Sequence, residues 1–539
     1  MLSGTAAAAA ALLVGCTDDP DRADSAGRGA GDPAAEPEPE PTPEPVLVAR
    51  EPADAAVSGD ASTLAAAVSG LLLERARVVV LVPEDETLTA AAATLSRATR
   101  WPVLVGDATR SLPEVTAAEL TRLGVEQIVQ IVAPLASQTG TAAARTATTS
   151  PTPTDDDAAG ATATPAGASV PAGIEVRTLP ADEVDTPPDD VPPGEDVDAS
   201  AVQVLVPEDV SAGAALATLH ALGATVFTGV VDPREDDAVM AALRQAPETP
   251  LVAIGAEDRP AENLLTMGSM AQRAAELPGG GVTLFPHRRL IALYGHPGAP
   301  VLGLLGEQGP EGSVRRVNTY VERYSPLVEE QVMPAFEIIT TVADVNPGPR
   351  NDYSLLSSME HLQPWVQAAS DAGVYVVLDL QPGRTDFLTQ AKVYEELLAL
   401  PHVGLALDPE WRLGPDERHL VRVGHVEAEE VNAVSEWLAD LVREHDLPQK
   451  ILTLHQFQVQ MIRNRDQVRT DHPELAIVLH ADGQGGQGAK QDTWRVLQQD
   501  LPENMWLGWK NFYDEDTPML TPEQTVARVH PTPWFISYQ

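Results

Sequence analysis

The feature that most restricts the fold of this chain is a series of eight short apolar runs between residues 285 and 539. The runs lie at residues 289–298, 333–340, 374–383, 403–411, 450–458, 475–483, 505–514 and 533–539. Stretches with helical apolar periodicity separate several of them, at residues 354–373, 427–446 and 493–501. Eight strands alternating with helices over about 250 residues match the count and length of a (β/α)8 barrel. We therefore predict that residues 285–539 fold as a TIM barrel.

The alternation of residues along these runs predicts which side chains face the barrel axis. Successive side chains of a strand point to opposite faces, so placing the large aliphatic residues against the helices leaves the polar ones facing the axis. The inward residues at the carboxyl ends of the strands are then Tyr294, His296, Glu337, Asp379, Gln381, Asp408, Glu410, His455, His480, Asp482 and Lys510. Barrel enzymes hold their active sites at this rim. Burying so many polar groups is costly unless they are paired or used, so the pattern predicts a functional site there.

Several carboxylates in one cleft suit glycoside hydrolysis, in which one carboxylic acid protonates the leaving oxygen and a second group supports the positive charge that develops on the sugar. Crowding of like charges raises the pKa of one carboxyl and keeps it protonated. Our candidate catalytic residues are Glu410, Asp408, Asp379, Glu337 and Asp482. The candidate substrate-binding residues are Tyr294, His296, Gln381, Trp411, His455, His480 and Lys510. This interpretation needs no metal ion and no other cofactor.

The segment Asp408-Pro409-Glu410 resembles the Asp-x-Glu that ends the fourth strand in glycoside hydrolases of the chitinase-like and lysozyme-like barrel families. The resemblance implies that Glu410 is the proton donor and that Asp408 is its partner. Chitinases carry further aspartates upstream on this strand, where this chain has Gly404 and Ala406.

The region before the barrel contains a repeat. Residues 80–85 and 204–209 both read Val-Leu-Val-Pro-Glu-Asp, and each copy is followed by alternating helix and strand patterns. Short aliphatic strands between amphipathic helices indicate a parallel sheet covered on both faces. We predict a small doubly wound α/β domain, with halves at residues 63–135 and 201–262. Residues 136–200, which have few large apolar side chains, form a predicted disordered insert.

Residues 111–132 of the first half resemble the cell-wall-binding repeat 2 family of Gram-positive surface proteins. They carry its Leu-Pro, Thr, Glu-Leu and Arg-Leu-Gly core, although Ala133 and Pro134 stand where that family has Gly-Gly. The second half resembles the family only in pattern. In that family the repeats hold proteins on wall polymers, and the resemblance implies above all a location in the cell envelope.

The amino-terminal segment predicts export. Cys16 follows a short apolar stretch in the context Leu13-Val14-Gly15, which resembles the lipobox of bacterial lipoproteins, although no Lys or Arg precedes that stretch. The resemblance implies a signal peptide at residues 1–16 and a lipid anchor on Cys16, on the extracytoplasmic face of the cell membrane. Residues 17–62 are rich in Pro and Glu, which predicts a disordered, extended stalk.

The charge of the chain restricts its partners. The 79 acidic residues outnumber the 35 basic ones, and the formal net charge of −44 makes nucleic-acid binding unfavourable. A cell-wall or extracellular polysaccharide is the expected partner. Two alternatives remain open. One is a metal-dependent hydrolase whose ligands come from His296, His455, His480, Glu337, Asp379 and Asp482. The other is a protein that binds wall glycan without catalysis.

Overall fold

The structure is a computed structural model and describes residues 45–134, 167–195, 197, 199 and 201–539. The predicted signal peptide with Cys16, residues 17–44 of the predicted stalk and residues 136–166 of the predicted insert lie outside the described residues. Residues Pro45–Gln539 form one compact unit. Among the described residues, no helix combines the length and the apolar character needed to cross a bilayer.

The carboxyl-terminal part of this unit alternates strands and helices. Its strands are β11 Arg288–Gly295, β12 Gln331–Ala343, β13 Ser354–Leu356, β14 Tyr375–Leu380, β15 Val403–Leu407, β16 Val426–Glu427, β17 Lys450–Gln456, β18 Ile462–Arg463, β19 Leu475–Ala481, β20 Trp506–Asn511 and β21 Phe535–Tyr538. Its helices are α7 Pro310–Tyr324, α8 Met359–Asp371, α9 Phe387–Ala391, α10 Glu395–Leu398, α11 Ala428–Glu444, α12 Gln487–Leu497 and α13 Pro522–Arg528.

Eight of these strands, β11, β12, β14, β15, β17, β19, β20 and β21, form a closed parallel barrel, because β11 pairs with both β12 and β21. The predicted eight-stranded barrel is therefore confirmed. Outward residues such as Leu293, Ile338 and Leu378 belong to the apolar core beneath the helices. Inward residues such as Ala292 and Val377 fill the lower part of the axis. This packing leaves the polar inward residues at the carboxyl ends of the strands.

The segment between β12 and β14 differs from the prediction at its start. The run at residues 354–373 predicts one helix, but its first three residues form β13, which pairs antiparallel with β12. Helix α8 begins at Met359, after Ser358 caps it by accepting a hydrogen bond from the His361 backbone N–H. Residues 354–356 therefore pair with β12 and do not form the first turn of the predicted helix.

The amino-terminal part consists of two α/β halves. Its strands are β1 Leu47–Ala49, β2 Ala55–Ser58, β3 Leu73–Ala76, β4 Val78–Val82, β5 Val103–Val105, β6 Gln127–Val132, β7 Glu175–Pro180, β8 Gln203–Val206, β9 Thr225–Thr228 and β10 Leu251–Gly255. Its helices are α1 Ala61–Leu72, α2 Glu86–Thr99, α3 Glu114–Leu123, α4 Gly213–Leu222, α5 Asp237–Leu243 and α6 Glu262–Arg273.

Each half has a four-stranded sheet of its own, where the sequence predicted one doubly wound unit. The strand orders are β5-β4-β6-β7 and β9-β8-β10-β2, and every pairing within them is parallel. The three repeat strands of each half occupy corresponding places in their sheet. Helices α2 and α4, which follow the two copies of the repeated hexapeptide, pack against each other. The halves therefore associate through helices.

Two segments that the sequence predicts to be disordered contain strands, of which β2 and β7 join these sheets and β1 forms a separate two-stranded sheet with β3. Within the predicted stalk, β1 pairs with β3, β2 pairs with β10, and α1 already begins at Ala61. Within the predicted insert, β7 pairs with β6 and buries Leu179. The described parts of both segments therefore contain regular secondary structure. The physical reason is that a strand with few apolar residues becomes stable when a distant strand supplies its backbone hydrogen bonds.

Candidate active site

A cavity of about 450 Å³ opens at the carboxyl ends of the barrel strands. The predicted site residues that line it are Tyr294, Gln381, Asp408, Glu410, Trp411, Asp482 and Lys510. Asp408 directly follows β15, and Glu410 and Trp411 lie in the short 3-10 turn after it. Asp482 directly follows β19, and Lys510 lies within β20. The closed barrel thus brings residues from distant parts of the sequence to one opening.

The floor of the cavity is a network of charged and polar groups. Lys510 Nζ lies 3.6 Å from Asp482 Oδ2 and 3.4 Å from the centre of the Tyr294 ring. Tyr294 Oη donates a hydrogen bond of 2.8 Å to Asp379 Oδ2. Asp482 Oδ2 also lies 2.7 Å from His455 Nδ1. Each of these floor residues is held by at least one neighbour, so the floor presents a fixed arrangement of charge.

A second group, formed by Glu337, His455 and His480, lies beneath this floor. All three side chains are fully buried, and none of them lines the cavity. His455 Nε2 lies 2.9 Å from Glu337 Oε1, and His480 Nδ1 lies 3.8 Å from the same oxygen. One ligand atom from each residue lies within 4.8 Å of the others, so the three can hold a metal ion. A metal there would be covered by the floor and would not face the cavity.

The carboxyl groups around the cavity differ in pKa. Burial and the nearby charge of Asp482 raise the pKa of Glu410 to about 7. Burial and Glu410 raise the pKa of Asp408 well above its usual range. Asp482 is also buried, but Lys510 and His455 outweigh that burial and hold its pKa well below the usual range. The cavity therefore presents protonated and ionised carboxyl groups at neutral pH.

The groups deeper in the barrel also depart from their ordinary values. Burial raises the pKa of Asp379 to about 6 despite the opposing charge of His455. Burial lowers the pKa of His480 to about 3, which makes it a neutral imidazole. His455 is equally buried, but Glu337 and Asp482 raise its pKa well above its usual range.

His296 does not join the cavity, in contrast to the prediction. Strand β11 ends at Gly295, whose φ of 145° interrupts the alternation of side chains. His296 is half-buried, and its Nε2 lies 3.2 Å from Ser357 Oγ. Its ring stacks on that of His361 at 5.7 Å. His296 is therefore also absent from the group that can hold a metal.

Other predicted binding residues are fixed at the rim. The side-chain oxygen of Gln381 accepts a hydrogen bond of 3.0 Å from the Ala343 backbone N–H. The Trp411 ring meets His419 edge-on at 5.4 Å and leaves part of its surface to the cavity.

Several residues of this site were not predicted from the sequence. Phe457, Gln484, Thr493, Phe512 and Glu515 also line the cavity. Ser537 of β21 lies on the axis, where its Oγ is 3.2 Å from His480 Nε2. Applying the alternation rule to the eighth strand would have identified Ser537. The others lie in loops or on α12, for which strand alternation makes no prediction.

Comparison of the chain with known protein families and with curated proteins finds no match.

Proposed function

We propose that the barrel hydrolyses glycosidic bonds and that Glu410 is the general acid. The observation that supports this best is the environment of Glu410, which lines the cavity and has a pKa raised to about 7. A general acid must hold its proton at the working pH and release it to the leaving oxygen. Glu410 is both accessible from the cavity and protonated near neutral pH, so it meets these two requirements.

The second carboxylate of the proposed reaction is Asp482. It lines the same cavity, and its lowered pKa keeps it ionised. Glycosidases pair one protonated carboxyl with one ionised carboxylate that supports the positive charge on the sugar. The resemblance to chitinase-like barrels assigned the partner role to Asp408, but the raised pKa of Asp408 makes it a poor anion. We therefore assign the ionised role to Asp482.

The remaining candidates act indirectly in this proposal. Glu337, His455 and His480 lie beneath the floor and cannot touch a substrate in the cavity. His455 links Glu337 to Asp482 through hydrogen bonds at both ring nitrogens. These residues therefore position Asp482.

The proposed substrate is a cell-wall or extracellular polysaccharide. The resemblance of residues 111–132 to cell-wall-binding repeats and of the segment at Cys16 to a lipobox support a lipid-anchored protein on the extracytoplasmic face of the membrane. The aromatic residues Trp411, Phe457 and Phe512 at the cavity offer flat apolar surfaces on which a sugar ring can stack.

The test is release of reducing sugar from purified cell-wall and storage glycans by the full chain. Glu410→Gln removes the proton donor with little change of shape, and we expect it to lower the rate by about 100-fold or more. Glu429→Gln is the matched control, because Glu429 is an exposed glutamate in the first turn of α11, and it should retain the wild-type rate. Equal rates for wild type and Glu410→Gln would contradict the assignment. Binding of a glycan without release by the wild type would favour the non-catalytic alternative.

A further inference from the structure

We propose that Glu337, His455 and His480 bind one divalent transition-metal ion beneath the floor of the cavity, with Asp379 as a fourth ligand. None of Glu337, His455 and His480 lines the cavity, and the proposed site rests only on their mutual geometry and their buried atoms. The inference therefore does not depend on the proposed function.

The spacing of the ligand atoms fits a small tetrahedral ion. Glu337 Oε1 lies 2.9 Å from His455 Nε2 and 3.8 Å from His480 Nδ1. Asp379 Oδ1 lies 4.0 Å from His455 Nε2. Bonds of about 2.0–2.1 Å to a tetrahedral metal place neighbouring ligand atoms about 3.3 Å apart. These three separations lie on both sides of that value, and an ion at this place would replace the hydrogen bond between His455 Nε2 and Glu337 Oε1.

Three of these side chains carry a buried polar atom without a hydrogen-bond partner. Within the part of the chain that the structure describes, the atoms are Glu337 Oε2, Asp379 Oδ1 and His480 Nδ1. Buried polar atoms nearly always have a partner, so several unpartnered ones at one place are suited to binding an ion. All of them are potential metal-binding atoms.

The outer contacts of the two histidines match those of metal ligands. His455 Nδ1 lies 2.7 Å from Asp482 Oδ2, and His480 Nε2 lies 3.2 Å from Ser537 Oγ. In metal sites, the ring nitrogen that does not bind the ion is usually fixed by a carboxylate or another hydrogen-bonding group. Here these contacts leave His455 Nε2 and His480 Nδ1 directed towards Glu337.

The donor set selects the class of metal. Two imidazole nitrogens with carboxylate oxygens suit Zn²⁺, Mn²⁺ or Fe²⁺, whereas Mg²⁺ and Ca²⁺ prefer oxygen ligands alone. Since the ligands are completely buried, the ion has to enter as the barrel folds. A bound ion would fix the position of His455, and His455 in turn holds Asp482 at the cavity.

The test uses the full chain unfolded in urea and refolded either with EDTA or with Zn²⁺ or Mn²⁺, followed by desalting and mass-spectrometric measurement of bound metal. We expect about one equivalent of metal per chain and a higher urea midpoint for the metal-loaded protein. His480→Gln should lower the bound metal at least tenfold. His402→Gln is the matched control, because His402 is a buried barrel histidine that faces the Val366 carbonyl instead, and it should retain the metal.

Two outcomes would overturn the site: wild type that refolds without bound metal and without a change of midpoint, or equal metal content in wild type and His480→Gln. If His480→Gln fails to fold by circular dichroism, Ser537→Ala replaces it, with an expected loss of affinity of about 10- to 100-fold. Unchanged affinity in Ser537→Ala would then contradict the proposal. Glu410→Gln should keep its metal, so failure of the metal site and failure of the proposed catalysis are distinguishable.

Discussion

Glu410 and Asp482 are two carboxyl groups of one cavity whose surroundings give them opposite protonation states. Both are largely buried, and burial favours the neutral form of each. Asp482 has Lys510 and His455 as close cationic neighbours, whereas the largest charge effect on the pKa of Glu410 comes from the negative charge of Asp482. The difference between a proton donor and an anion therefore comes from neighbours on other strands.

This difference predicts the pH dependence of sugar release. Glu410 donates only when protonated, so kcat/KM should fall as the pH rises through about 7, the value to which burial and Asp482 raise its pKa. The groups that face Glu410 and set this midpoint are Asp482, Lys510, His455, Asp379 and Asp408. The measurement is kcat/KM against pH for the full chain. The decline should persist in Glu429→Gln and be absent from the residual activity of Glu410→Gln; a decline with the same midpoint in Glu410→Gln would contradict the assignment.

At the scale of elements, β15 shows how closely the barrel strands approach one another. Gly404 lies on its inward face, where an added Cβ would lie 2.5 Å from Ile451 Cγ2, 2.8 Å from the Ile451 carbonyl oxygen and 3.0 Å from Tyr375 Oη. A side chain there requires β17 or β14 to move. The space on the barrel axis below Asp408 is therefore narrow, and the small residues Gly404 and Ala406 fit it.

We expect Gly404→Ala to lower the free energy of unfolding by about 1–3 kcal/mol, because overpacking strains a close-packed core. Urea denaturation followed by tryptophan fluorescence measures the change. Gly488→Ala on α12 is the control: a Cβ there meets no atom within 4 Å, and alanine favours the helix by about 0.5–1 kcal/mol. If Gly404→Ala does not lower the free energy of unfolding relative to the wild type, the strands around Gly404 can move to accept the added methyl group.

At the scale of the whole unit, the α/β part and the barrel share apolar and polar contacts. Met270 of α6 belongs to the same apolar cluster as the outer barrel core. Buried Arg234, in the loop before α5, donates a hydrogen bond of 2.5 Å to the Pro473 carbonyl just before β19 and pairs with Asp232 at 2.8 Å. The two parts are therefore joined by side chains that are withdrawn from water.

Arg234→Ala should lower the free energy of unfolding by about 1–3 kcal/mol, because it leaves the partly buried Pro473 carbonyl and the partly buried Asp232 carboxylate without their donor. Urea denaturation of the full chain measures the effect. The control is Arg259→Ala, which removes an exposed ion pair with Asp209 in the same part of the chain and should change stability by less than about 1 kcal/mol. Equal effects of the two substitutions would mean that the contact contributes nothing to stability.

The sequence by itself determined the eight-stranded barrel and the side of each strand that faces the axis. Strand alternation is a local property, so the inward positions of Asp379, Asp408, His455 and Lys510 could be assigned from neighbouring residues alone. The same rule failed at His296, because Gly295 ends the alternation one residue earlier.

Only the tertiary structure decided the depth of each inward residue. Depth depends on the stagger between strands that are far apart in sequence, and it separates Asp482, which lines the cavity, from His480, which lies beneath it. The strands β2 and β7 likewise exist because β10 and β6 complete their hydrogen bonds. The raised pKa of Glu410 could not be predicted from its neighbours in the sequence either, because it results from burial and from charges on other strands. The sequence alone therefore determined which face of each strand is polar, and long-range pairing decided which of those polar groups meet and in which charge state.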